Sequence, residues 1–150
     1  MKTRPLSCLL AFILAFPVAS ILSAQEKPAP KEPETELGKL METNNGAWRK
    51  LRKQAADPAN NAAAIELVAT LRTGMNKALT LKPAKVEDVP AADREKFIAA
   101  YQAGLKECLS QLDKLEAAFK TNDNAAAQTL IQKLGALQKE SHKEFKRPDK

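Results

Sequence analysis

The sequence predicts an all-α protein: an antiparallel up-down-up-down four-helix bundle that follows a cleaved signal peptide. Three observations carry that prediction. Glycine is scarce, 5 in 150 residues, and aromatic residues make up 5%. Ala, Leu, Lys, Glu and Gln outweigh Val, Ile and Thr, a balance that suits helices better than sheets. Apolar residues recur at steps of three and four in four separate stretches, and Asp57-Pro58, Pro83, Pro90 and Asn122-Asp123-Asn124 fall between them. Such stretches each form one face of a helix, and long helices joined by short connections pack as antiparallel neighbours.

The N-terminus stands apart from that pattern. Lys2 and Arg4 precede an apolar run from Leu9 to Leu22, and Ser23-Ala24 leads into the polar Gln25-Glu26-Lys27. A basic start, a short apolar run and a small-residue exit are the parts of a secretory signal, expected here over residues 1–24. The run is interrupted by Pro17 and is short for a membrane span, so no stable membrane insertion is expected after cleavage. Residues 25–35, with Pro28, Pro30 and Pro33, read as a disordered spacer. Cleavage changes the charge balance from 24 basic against 18 acidic residues to 22 against 18, a mild +4. The signs alternate along the chain where nucleic-acid binding would need a basic stripe. Cys108 remains as a single cysteine, so no intrachain disulfide can form, and it reads as a small core residue.

The bundle is expected over residues 36–147. Leu37, Leu40, Met41, Asn44, Trp48, Leu51 and Ala55 lie on one face of the first helix, which Asp57-Pro58 ends. A second helix is predicted from about Ala59 to Leu81, with Ile65, Val68, Leu71, Met75 and Leu79 inward. Lys82 to Val89 reads as a loop bounded by Pro83 and Pro90. The third helix has the most regular stripe, formed by Ile98, Tyr101, Leu105, Cys108, Leu112, Leu115 and Phe119. Asn122-Asp123-Asn124 makes a turn with capping residues. The last helix turns Ile131, Leu134, Leu137 and Phe145 inward and stops before Pro148.

Candidate chemistry is sparse. The chain has no Gly-rich phosphate loop, no zinc-type Cys pair, and one His, which removes multi-histidine metal sites and most hydrolytic or nucleotide-dependent enzymes. In an up-down-up-down bundle, Met41 near the start of the first helix and His142 near the end of the fourth share an end. Both lie within roughly 6–9 Å of it at the helical rise. A thioether and an imidazole facing each other on neighbouring helices can ligate haem iron. Phe97, Ile98, Tyr101, Leu105, Met75 and Phe145 count to the same region and could line an apolar slot. Spacing alone leaves this open. A Met on an apolar face commonly fills core gaps, and a His in a last helical turn complements the dipole. Met75 also counts to that end.

Longer segments carry a resemblance. Leu40-Met41-Glu42-Thr43-Asn44-Asn45 is similar to the segment that opens the first helix in the soluble cytochrome b562 family, whose Met is an axial ligand. Ser141-His142-Lys143-Glu144-Phe145-Lys146 resembles the family's last segment, which contributes the His ligand. Lys53-Gln54-Ala55-Ala56-Asp57 and Ala126-Ala127-Gln128 resemble its first turn and the start of its last helix. The resemblance extends over residues 36–147 and implies one non-covalent haem b per chain, ligated by Met41 and His142. It implies a monomeric periplasmic electron carrier, not an enzyme, whose redox partner is a protein of unknown identity. Two slot-lining Phe of the family correspond to Tyr101 and Leu105, and an Arg near the haem to Gln138. These departures bear on potential and affinity. With no Cys-x-x-Cys-His in the chain, covalent attachment is not expected. A haem-free extracytoplasmic binding or adaptor protein of the same fold is the alternative, to be marked by a slot filled with side chains and by His142 turned to solvent. A haem enzyme or gas sensor would instead need a sixth bond that opens.

Overall fold

The computed structural model describes residues 35–148; the expected signal peptide and all but the last residue of the spacer lie outside the described residues. Four helices run in chain order, α1 Glu36–Gln54, α2 Asn61–Ala78, α3 Arg94–Lys120 and α4 Asn124–Phe145. Short 3-10 turns occupy Pro58–Asn60, Ala84–Asp88 and Ala91–Asp93. The starts of α1 and α4 are capped by side chains. The Thr35 hydroxyl accepts from the Gly38 amide at 3.0 Å, and the Asp123 carboxylate accepts from the Ala126 amide at 2.9 Å. Both satisfy amides left without a partner in a first turn. Asn122 takes the left-handed conformation, φ 56°, a role Asn tolerates better than most residues.

The second helix is shorter than its periodicity predicts. Asp57 caps Pro58–Asn60 by accepting from the Ala59 amide at 3.0 Å, and that stretch winds as a 3-10 turn before α2 begins. Its other end stops at Ala78, and Leu79 to Leu81 form turns ahead of Pro83, where a helical residue before proline would clash. The stretch expected as a loop holds a 3-10 helix over Ala84–Asp88 with Val86 buried.

The four helices form the antiparallel bundle, and its core divides in two. The larger cluster includes Trp48, Leu51, Val68, Leu71, Cys108, Leu112, Leu115, Phe119 and Leu134. The smaller contains Ala78, Tyr101, Leu105 and Phe145, with the half-buried Leu37, Leu40, Met41, Leu79 and Phe97 against it. Met75 packs on both. Neighbouring backbones are close along the seams α1–α2, α2–α3 and α3–α4; the α1–α4 seam is not among the close ones. α1 and α4 do meet toward the Asn122 turn. There Asn124 Nδ2 donates to the Ala55 carbonyl at 2.9 Å, and Trp48 lies over Gly135. One glycine is required by close approach: a Cβ on Gly74 would lie 2.0 Å from Asn44 Oδ1, which α1 inserts against α2.

Candidate functional site

The smaller cluster sits at the end of the bundle where α1 and α3 begin and α2 and α4 finish. Its floor follows from the third-helix stripe. Tyr101 and Leu105, four residues apart, are both buried. The Tyr101 hydroxyl donates to the Ala78 carbonyl at 3.3 Å, the last residue of α2, so the phenol has the partner a buried hydroxyl needs. Burial pushes its pKa up to about 12. Phe97, one turn earlier, is half-buried against the cluster, and Ile98 is half-buried but outside it. Phe145 comes from α4 and makes edge-on contacts with both rings, centroids 5.2 Å from Phe97 and 5.5 Å from Tyr101.

Two sulfur- or nitrogen-bearing groups border this floor. Met41, on α1, is half-buried and packs its thioether side chain against the cluster. His142, on the last turn of α4, is exposed. Its imidazole has no hydrogen-bond or ion-pair partner among the described residues. Gln138 lies one turn before His142 on α4 and is half-buried. Met75 lies deeper, between the two clusters. Of the residues expected from the sequence, Met41, Tyr101, Leu105, Phe97, Phe145 and Met75 therefore come together at one cluster, Ile98 lies outside it, and His142 stands at its rim with its side chain in solvent.

The donor set suits a haem iron: one thioether and one unpartnered imidazole, on adjacent helices at the same end, beside an apolar and aromatic surface. The seam between those helices is the loosest of the four. Phe145 occupies part of the same surface, so a planar ligand entering there would share it with that ring. Leu37, Leu40 and Leu79 also belong to the surface, and sequence reasoning assigned them only to the general core. Among the described residues no group of three His, Cys, Asp or Glu side chains is placed to hold a metal ion, and no helix is long and apolar enough to cross a membrane.

The rim is set by residues that periodicity does not single out. Lys85 and Asp88, from the connection between α2 and α3, reach the end of α4. Lys85 Nζ donates to the carbonyls of Lys143 and Glu144 at 3.3 and 2.6 Å, and Asp88 forms a two-pronged ion pair with Arg147 at 2.7 and 2.9 Å. At the start of α1, Glu36 pairs with Lys77 near the end of α2 at 3.0 Å. Cys108 is buried among apolar side chains; burial, and secondarily Glu107, pushes its thiol pKa up, so it has little thiolate character.

Searches of curated proteins and of solved structures each give no significant match. A family model described as cytochrome b562 matches residues 36–146, from the first residue of α1 to just beyond the last of α4, and the chain belongs to the cytochrome b562 family, whose members are haem-binding four-helix-bundle electron carriers.

Proposed function

We propose that this chain is a periplasmic electron carrier that holds one non-covalent b-type haem with Met41 and His142 as axial ligands. The observation that carries the reading is the pairing of a half-buried thioether on α1 with an unpartnered imidazole on α4. Both flank an apolar cluster where the two helices are least tightly joined. When bound, a haem iron supplies reversible one-electron Fe(III)/Fe(II) chemistry, and Met/His ligation favours the reduced state relative to two nitrogen ligands. The chain's own residues hold and orient. Tyr101, fixed to the Ala78 carbonyl, and Leu105 provide a rigid apolar floor. Phe97 and Leu40 keep water off it, and the four-helix frame keeps the two donors at fixed separation. Gln138 puts a neutral, half-buried side chain one turn before His142. Met41 and His142 would hold the haem iron between them, and its chemistry there would be one-electron transfer.

A second reading has its own support. Phe145 packs on Phe97 and Tyr101, and His142 faces solvent, as expected of a haem-free bundle that acts as a binding or adaptor protein. Haemin titration separates the two. For the carrier, the wild type gives a sharp, low-spin reduced spectrum at one equivalent. His142→Ala loses it, Met41→Ala becomes high-spin, and Met75→Ala keeps it. A wild type that stays helical but shows no haem spectrum leaves the binding protein. Loss in Met75→Ala, with Met41→Ala unaffected, moves the thioether ligand to Met75.

A further inference from the structure

The end of α4 is held from outside by the connection between α2 and α3. The last carbonyls of any helix lack an intrahelical donor, and a cation there also meets the negative end of the dipole. Lys85 supplies that cation to two of them, bonding the carbonyls of Lys143 and Glu144. Asp88, three residues later, takes Arg147 just beyond the helix with two parallel contacts, the strong geometry for a carboxylate–guanidinium pair. The connection that presents Lys85 and Asp88 is itself fixed. Arg94 donates to the carbonyls of Val89 at 3.0 Å and Glu87 at 3.2 Å, and the Val86 side chain is buried. His142 is the residue just before the first capped carbonyl. Its turn is thus gripped on the inner side by Phe145 and on the outer side by Lys85 and Asp88. Without that grip an exposed residue one turn from a helix end would fray.

We propose that Lys85 and Asp88 are positioning residues for His142. They hold the last turn of α4 so that the imidazole is presented in one orientation, and they slow the loss of whatever it ligates. The inference rests on the haem reading above. It predicts that Lys85→Met and Asp88→Asn each accelerate haem transfer from the full chain to excess apomyoglobin by about fivefold, as expected for about 1 kcal/mol of lost ion-pair and capping contact. In the haem-free protein, amide exchange at residues 143–146 rises by a similar factor. Lys85→Arg, which keeps a donor at the carbonyls, restores both. Lys120→Met is the control. It removes an exposed partner of Glu116 at the other end of the bundle, 2.5 Å away, and leaves both readouts at wild-type values. Two results overturn the proposal. One is exchange that rises while haem transfer is unchanged, which makes the contacts a helix cap and nothing more. The other is transfer that accelerates equally in Lys120→Met, which makes them general stability. A wild type that takes up no haem overturns it too, and is told apart because it fails before any substitution is made.

Discussion

At one end of the bundle, three asparagines close the structure. Asn61 Nδ2 donates to Asn122 Oδ1 and Asn124 Oδ1, and Asn124 Nδ2 donates to Asn61 Oδ1 and the Ala55 carbonyl. This ties the end of α1, the start of α2 and the α3–α4 turn into one knot, above a core whose Leu51, Leu115 and Phe119 are at most 1% exposed. At the other end, most of the apolar cluster is half-buried, the α1–α4 seam is slack, and the end of α4 is tied down by Lys85 and Asp88 from the connection between α2 and α3. The difference is one of division of labour. Local stability varies within a fold, and binding sites are drawn from its less stable parts; here the Asn122 end carries stability and the His142 end carries the donors.

The largest expected effect breaks that contrast at the core. Phe119→Ala should lower unfolding free energy by about 3–5 kcal/mol, the range for truncating a fully buried Phe. Phe145→Ala, at the last residue of α4 and less fully buried, should lose about half as much in the haem-free protein. Equal losses in urea titrations would show that the two ends are equally packed. Next comes the knot: Asn61→Ala leaves Asn122 and Asn124 short of a donor and should destabilise by about 1–3 kcal/mol, with little change in the haem spectrum.

Tyr101 supplies a pH test of the other end. Its folded pKa, about 12 because of burial, lies above the unfolded value near 10. The unfolded chain therefore loses the proton first. The stability contributed by the neutral phenol is complete below pH 10 and is lost as pH rises from 10 toward 12, with a slope of about 1.4 kcal/mol per unit at most. Comparing alkaline unfolding of wild type with Tyr101→Phe isolates that slope; parallel curves would show that the phenol is not desolvated. The smallest effect is at the α1–α2 contact. Gly74→Ala should cost about 1 kcal/mol in the wild type by displacing the Asn44 amide. On an Asn44→Ala background it should stabilise, because Ala is the better helix former by about 1 kcal/mol. The same sign in both backgrounds would show that Asn44 does not require the glycine.

Helix identity and the main core face were legible because buried positions repeat with the helical period. Six of the seven residues of the third-helix stripe are buried, Ile98 alone being half-buried. Helix ends were less legible. The 3-10 turn under the Asp57 cap and the unwinding before Pro83 depend on capping and sterics that a periodic stripe does not encode. The buried turn at Val86 needed tertiary contact to form. At the site, helical register brought Met41 to the cluster with Tyr101 and Leu105. Register also brought Phe145 to Phe97 and Tyr101, but the edge-on ring geometry and the outward direction of His142 are rotamer choices that register does not fix. The grip of Lys85 and Asp88 joins positions nearly sixty residues apart through single charges, and no spacing announces it.

The central claim is that a thioether on α1 completes the haem site, and methionine methyl NMR of the ferrous protein, labelled with 13C in the methyl group, tests it most directly. The chain contains Met1, Met41 and Met75. An axial thioether lies over the ring face, where the ring current moves its methyl signal far upfield. The account predicts one such signal, absent in Met41→Leu and retained in Met75→Leu. A far-upfield signal that disappears with Met75→Leu, or no far-upfield methyl in a protein that has taken up haem, would contradict it.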